Sequence, residues 1–236
     1  MPDGIVLVGF GPTGWGKTLL EAAAMTVLVS VASMLIGALL GAWLAFLKLR
    51  LHALPRTLAD AYITVFRGVP ELLVIYLLYF GGSTALTEIG RWLGHRDFIG
   101  VPAFTAGAVA VGVVSAAYQA EVFRGAVLVL PKGEVEAARA VGMNAWLVLR
   151  RVTGPHVLRL ALPGLGNVWQ LALKDSALIS VVGLVELLRA SQVGAGSTSQ
   201  PFTFYFAAIL LYLAITTVSG SLFRWLERVP HARKSG

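Results

Sequence analysis

The sequence predicts an all-α membrane protein of about five transmembrane helices, and three observations carry that expectation. Of 236 residues, 57% are hydrophobic and 13% charged, against about 45–50% and about 25% in an average soluble domain. A core of this size cannot hide so much apolar surface from water, so lipid is the solvent. Uncharged runs extend over 22–47, 72–87, 98–120 and 190–223, and a span needs roughly 20 mostly apolar residues to cross about 30 Å of hydrocarbon. The charged residues cluster between those runs.

The first span is expected at about 20–47. It is too long for a signal-peptide core and has no charged stretch before it, so it should be retained. It opens on IVLVGFGPTGWGKTLLEAAA, in which Gly11 to Thr18 fits the phosphate-cradling pattern G-x-x-x-x-G-K-S/T. The following helix is apolar over 22–47 and has no polar face to rest on a soluble sheet. No later strand-like run ends in an acidic residue suited to magnesium. The expected reading is an interfacial Gly-rich turn, with Trp15 at the headgroups and Lys17 snorkelling.

The remaining spans are placed at about 57–86, 100–123, 161–187 and 201–224. Lys48, Arg50 and Arg56 lie in loop one. Arg124, Lys132, Arg139, Arg150, Arg151 and Arg159 lie in loop three, and Arg224, Arg228, Arg233 and Lys234 in the tail. The other side holds Lys17, Arg91, Arg96 and Arg189, so the count is 13 against 4. By the positive-inside rule the N-terminus is outside and the C-terminus cytoplasmic. The net charge of +7 therefore reflects span ends and points to no nucleic-acid partner. There are no cysteines. The four histidines (His52, His95, His156 and His231) show no metal-ligand spacing and read as loop or interface residues.

Loop three, LPKGEVEAARAVGMNAWLVLRRVTGPHVLRLALPGLGN, is the one long hydrophilic insertion. Pro131 can open a helix, and Glu134 and Glu136 in its first turn face the positive end of the dipole. Gly142 and Pro155 are expected to divide the segment into short helices. Trp146, Leu147 and Leu149 beside Arg150 and Arg151 suggest a piece lying along the membrane surface. Small residues such as Ala137, Ala138, Ala140 and Gly142 admit a close partner backbone. A docking element and a lipid-bound amphipathic loop both fit this pattern.

This segment resembles the EAA loop of ABC importer permeases, E-A-A-x-x-x-G followed by nine residues and I-x-L-P. Glu136, Ala137, Ala138, Gly142 and Pro155 match, Val152 stands for the Ile, and Gly154 departs from the Leu. FRGVPELLVIYLLYFGG, AAYQAEVFRG and LKDSALISVVGLVEL are similar to the polar amino acid branch, the histidine/arginine/ornithine and opine type. The resemblance implies an ABC type I importer permease fold with five spans and a cytoplasmic coupling-helix loop at about 131–158. It implies a complex in the bacterial inner membrane of two permeases, often non-identical paralogues, with two ATPases and an extracytoplasmic solute-binding protein. This chain would have no catalytic residues and no cofactor, since ATP and magnesium would sit on the ATPase. The expected substrate is a polar, cationic amino acid or a related opine.

Two charge clusters fall inside spans, where such residues face a bundle interior or a cavity. In Arg67-Gly68-Val69-Pro70-Glu71, Arg67 is about 15 Å deep at about 1.5 Å per residue. Gly68 and Pro70 should break the helix. Glu71 either satisfies the new helix terminus, paired with Arg67, or lines a midplane site of the kind transporters build from discontinuous helices. In Lys174-Asp175-Ser176, adjacent helical residues do not face each other. The two charges therefore need partners on another helix, in water or in a substrate, and a purely structural pairing with Glu71 or Arg67 is open beside direct substrate contact. Asn167 and Gln170, three residues apart, extend this polar stripe, and Tyr118 and Gln119 are candidates to line the path. Glu121 and Arg124 fit an interfacial pair, a gate, or a contact with loop three. GAGSTSQP (194–201) reads as an outer loop near a docking binding protein.

Two rival classes are weaker. A secondary transporter using Glu71 or Asp175 as a proton relay would be expected to show an internal repeat. An intramembrane enzyme would need a His, Cys or Ser/His/acid set at matching depth.

Overall fold

The computed structural model describes residues 4–12, 14–49, 53–95 and 97–228. Thr13, Arg50, His52, Arg96, His231, Arg233 and Lys234, which entered the sequence arguments, lie outside them. A short helix α1 (Gly4–Val8) turns into α2 (Gly16–Lys48), a rod of 33 residues. Helix α3 (Ala53–Gly68) follows, then α4 (Glu71–Tyr76), which continues through a π turn (Leu77–Gly81) into α5 (Gly82–Trp92). Next come α6 (Ala103–Val129), α7 (Lys132–Ala140) and α8 (Ala145–Val148), then a second π turn (Leu149–Thr153) and α9 (Gly154–Asp175). A 3-10 turn (Ser176–Val182), α10 (Leu187–Thr198) and α11 (Pro201–Arg228) complete the chain. No strand occurs among the described residues.

The centre of the bundle is the long contact between α2 and α6. Lipid-soluble helices lack a hydrophobic drive to associate and pack through small residues that bring backbones close. Gly37 and Gly41 show this: a Cβ added at Gly37 would stand 2.4 Å from Gln119 Nε2, and one at Gly41 2.9 Å from Gln119 Cβ. The buried hydroxyls of Thr26, Ser30 and Ser33 bond back to the carbonyls of Ala22, Thr26 and Val29 at 2.7–3.1 Å. Each of these hydroxyls thereby has a partner in a water-free interior.

Helices α3, α4 and α9 pack around this pair, and α10 joins α11. Helix α3 ends at Gly68, and Pro70, with ψ 131°, turns the chain into α4. Val74 and Ile75 of α4 share an apolar cluster with Ala108, Val111 and Val114 from the first half of α6. Helix α4 thus begins inside the bundle.

Beyond the division of the span expected at 57–86 into α3 and the stretch Glu71–Trp92, the chain departs from the sequence expectation in two places. Among the described residues four helical stretches are long and apolar enough to cross a membrane: Gly16–Lys48, Glu71–Trp92, Ala103–Val129 and Pro201–Arg228. The stretch expected as a span over 161–187 is absent from that set. Its helix begins earlier, at Gly154, and stops at Asp175. The chain then tightens into the 3-10 turn, ends it at Gly183 with φ 92°, and restarts at Leu187. Pro163, Asn167, Gln170, Lys174 and Asp175 dilute its apolar character. The second difference is GAGSTSQP, expected as an outer loop. It is helical through Thr198, and Gly194 is seated against the Phe204 ring, where a Cβ would be 2.2 Å from Cε1.

Candidate functional site

The breaks after Gly68 and after Asp175 bring together the two charge clusters expected inside spans, because α4 packs against the 3-10 turn. Glu71 sits half-buried in the first turn of α4. Asp175, also half-buried, ends α9 within electrostatic reach of both Glu71 and Lys174. Arg67, on the last turn of α3, lies over the Tyr118 ring, 5.1 Å from its centroid. None of Arg67, Glu71, Lys174 and Asp175 closes an ion pair within 4.0 Å among the described residues. The structural pairing left open by the sequence is not formed. Asp175 instead feels both the Glu71 carboxylate and the Lys174 ammonium without closing a contact to either.

The other pathway candidates separate. Lys174 and Asn167 are exposed, whereas Gln170 reaches the Thr216 carbonyl on α11 at 3.5 Å. Ser176 is fully buried and donates to the Leu173 carbonyl at 2.8 Å. Gln119 is a correction. It is 0% exposed, and its Nε2 donates to Met34 O at 3.2 Å and Ser115 Oγ at 2.9 Å. It is wedged in the α2–α6 seam and faces no path. Periodicity could not separate it from Tyr118, its half-buried neighbour.

Loop three is built as two pieces. Helix α7 has no side-chain cap and carries Glu134 in its first turn. It closes at Gly142, whose φ of 84° is the left-handed conformation only glycine adopts without strain. The Gly142 N–H donates to Arg139 O at 3.0 Å and the Met143 N–H to Ala138 O at 3.1 Å, the bond pair of a Schellman motif. Glu136, Ala137 and Gly142 are exposed, while Ala138 turns inward at 6% exposure. Asn144 then caps α8, its Oδ1 accepting from the Leu147 N–H at 2.9 Å.

Pro155 does not divide the segment as expected. The wide turn Leu149–Thr153 carries the chain into α9 with Pro155 in its first turn, where a missing N–H is harmless. His156, expected as a loop or interface residue, contacts Glu134 Oε2 through Nδ1 at 2.5 Å and ties α9 to α7.

Two polar junctions escaped the sequence reading. Lys48 Nζ, with its side chain 13% exposed, lies 2.6 Å from Asp60 Oδ1 and 2.5 Å from Glu121 Oε1. Arg124 takes the other Glu121 oxygen at 2.9 Å. The Glu121–Arg124 pair is therefore one half of a knot joining α2, α3 and α6. Glu186 is 0% exposed and caps α10, accepting from the Leu188 and Arg189 N–H groups at 2.8 and 2.7 Å and from Tyr212 Oη at 3.0 Å. Thr26 of α2 accepts from the neighbouring Leu187 N–H at 3.1 Å. The signal available was a carboxylate just ahead of a helical run, in VELLRAS, hidden by reading the span as unbroken.

The phosphate-loop pattern has a geometric answer. A phosphate loop needs free backbone N–H groups, yet those of Gly14, Trp15 and Gly16 donate to Gly11, Leu7 and Gly9 carbonyls at 2.9, 2.7 and 3.0 Å. Lys17 is exposed and lies 3.8 Å from Glu21. Trp15 meets the Phe204 ring edge-on at 5.5 Å. The glycines let α1 fold back on the bundle.

Known proteins match this chain over nearly its whole length. Residues 33–229 match the family model described as binding-protein-dependent transport system inner membrane component. The octopine transport system permease protein OccQ of Rhizobium radiobacter is 53% identical over 221 residues, covering 94% of this chain and 93% of that protein. The nopaline transport system permease protein NocQ of Agrobacterium fabrum is 48% identical, covering 95% and 97%. The histidine/lysine/arginine/ornithine transport system permease protein HisQ of Escherichia coli is 36% identical, covering 91% and 94%. Among solved structures, an amino acid ABC transporter crystallised with histidines superposes with a TM-score of 0.73 at 30% identity, covering 91% of this chain and 94% of that one.

Proposed function

The chain belongs to the family of binding-protein-dependent transport system inner membrane components, and from that premise we propose that it is the permease subunit of an ABC importer for cationic amino acids or opines. It has the type I importer permease fold and resides in the bacterial inner membrane. Its family works with an ATP-binding subunit and a substrate-binding protein. It is a transport component, and ATP hydrolysis belongs to the partner.

The observation that carries the solute class is that Glu71 and Asp175, at two helix breaks, act on one another while neither closes an ion pair within 4.0 Å among the described residues. Such a pair suits an ammonium or guanidinium group. The relatives named for octopine, nopaline and basic amino acids support the same chemistry. Arg67, Tyr118 and Lys174 complete the surroundings of this proposed pathway, while Ser176, buried and bonded to the Leu173 carbonyl, does not line it. Asn167 and Gln170 continue it toward the cation-rich end.

In this reading the cation-rich end is cytoplasmic. Glu136, Ala137 and Gly142 form the surface offered to the ATPase, Ala138 packs beneath it, and Pro155 begins the helix that carries its movement inward. Two ATPases serve two permeases, the second a paralogue, and ATP and magnesium are held by the ATPases alone. ATP-driven closure shifts the population between inward- and outward-facing states.

The test is reconstitution in proteoliposomes with the ATPase, the second permease and the binding protein. ATP-dependent uptake of radiolabelled octopine or arginine is expected, and the chain alone should accumulate nothing. Uptake by the chain alone under a proton gradient would instead favour a secondary transporter and refute the proposal.

A further inference from the structure

The segment joining the docking helix to α9 has two faces. Trp146, Arg150 and Arg159 follow one another at four and nine residues, and all three are exposed. Arg150 lies within the five-residue turn Leu149–Thr153 and Arg159 in the second turn of α9. Arg151 flanks it, and Leu149 and Leu158 are 50% and 55% exposed beside a Trp146 that is 67% exposed. On the opposite side Val148 and Ala161 are buried at 5% and 0%, and His156 holds Glu134. Arg150, Arg151 and Arg159 close no ion pair or side-chain hydrogen bond among the described residues, although acidic neighbours engage Lys48, Arg56 and Arg124 nearby.

We infer that this stripe binds the headgroups of anionic phospholipids. Three uncompensated guanidinium groups offer the forked donors that match phosphate oxygens. An exposed tryptophan among leucines has the amphipathic profile of the headgroup layer. The stripe also runs directly into α9, which enters the bundle, so it lies at the depth where headgroups are found. The ATPase is assigned to a different surface, the exposed face of α7 around Glu136 and Ala137, separated from the stripe by the turn at Gly142. The inference rests on the cytoplasmic placement of loop three and not on the identity of the solute.

The test uses the assembled transporter. Native mass spectrometry with phosphatidylglycerol and phosphatidylcholine as probes should show wild type preferring phosphatidylglycerol, with each arginine contributing about fivefold. The triple variant R150Q/R151Q/R159Q should lose that preference while the ATPase co-purifies normally, and R150K/R151K/R159K should keep most of it. Should the glutamine triple fail to assemble, R150Q and R159Q singly should each give a graded loss. In vesicles, phosphatidylglycerol should raise binding-protein-stimulated ATP hydrolysis by wild type and leave the glutamine variant unaffected. Equal phosphatidylglycerol retention by variant and wild type would overturn the inference. So would selective loss of the ATPase from the variant, which would assign the stripe to a protein contact. A wrong solute assignment leaves the lipid measurement untouched.

Discussion

Replacing Gly142 separates backbone geometry from surface shape on the proposed docking loop. Its φ of 84° lies in the left-handed region, and an added Cβ would meet nothing within 4 Å. Gly142→Ala therefore carries no internal clash, only the conformational cost of a left-handed L-residue, about 1–2 kcal/mol. Through the N–H bonds to Arg139 and Ala138, that cost falls on the end of α7 and should weaken ATPase binding by roughly 5- to 30-fold. Asparagine tolerates the left-handed region better than alanine, so Gly142→Asn should recover much of the loss. The assay is the affinity of the detergent-solubilised permease for its ATPase, with membrane insertion followed as yield. Binding by Gly142→Ala at wild-type strength would refute the geometric argument. Asparagine proving worse than alanine would show that the ATPase presses on this position and that size decides.

Other outcomes follow from the junctions. Gly37→Ala should destabilise the solubilised protein by about 1–3 kcal/mol through overpacking, and a Gln119→Ala companion should recover only part of the melting temperature, because the new methyl also meets Ser115. Glu186→Ala, which strips the α10 cap and removes the acceptor of the Tyr212 hydroxyl, should cost about 1–3 kcal/mol; Glu186→Gln should cost less in the same thermal assay. Lys48→Met should take from Asp60 and Glu121 the cation they share and lower the unfolding midpoint more than Lys48→Arg does. Asp175→Asn with Glu71→Gln should raise the half-saturating concentration for a cationic solute in reconstituted uptake while leaving basal ATP hydrolysis in place.

Features with local causes could be read from the sequence. Proline and glycine dictate the break at Gly68–Pro70, and a glycine after EAARAV dictates the end of α7, so both were visible. The 3-10 turn was not, because ISVVGLVELL is apolar almost throughout and Gly183 within it could equally belong to a packed helix. Side-chain direction was the second blind spot. Tyr118 and Gln119 differ by one position, yet one meets Arg67 and the other is sealed against Gly37. Nor can composition reveal that Lys48, counted as a loop cation, is enclosed by two carboxylates from different helices.

The glycine seam between α2 and α6 has a mechanical meaning. Backbones this close, fastened again at Lys48 and Glu121, cannot slide or splay independently and so bend as one girder. Only Leu130 and Pro131 separate the end of α6 from α7, so a tug on α7 is delivered to both members at once. It emerges at the far end of α2, about 50 Å away at ~1.5 Å per residue, with little slack to absorb it.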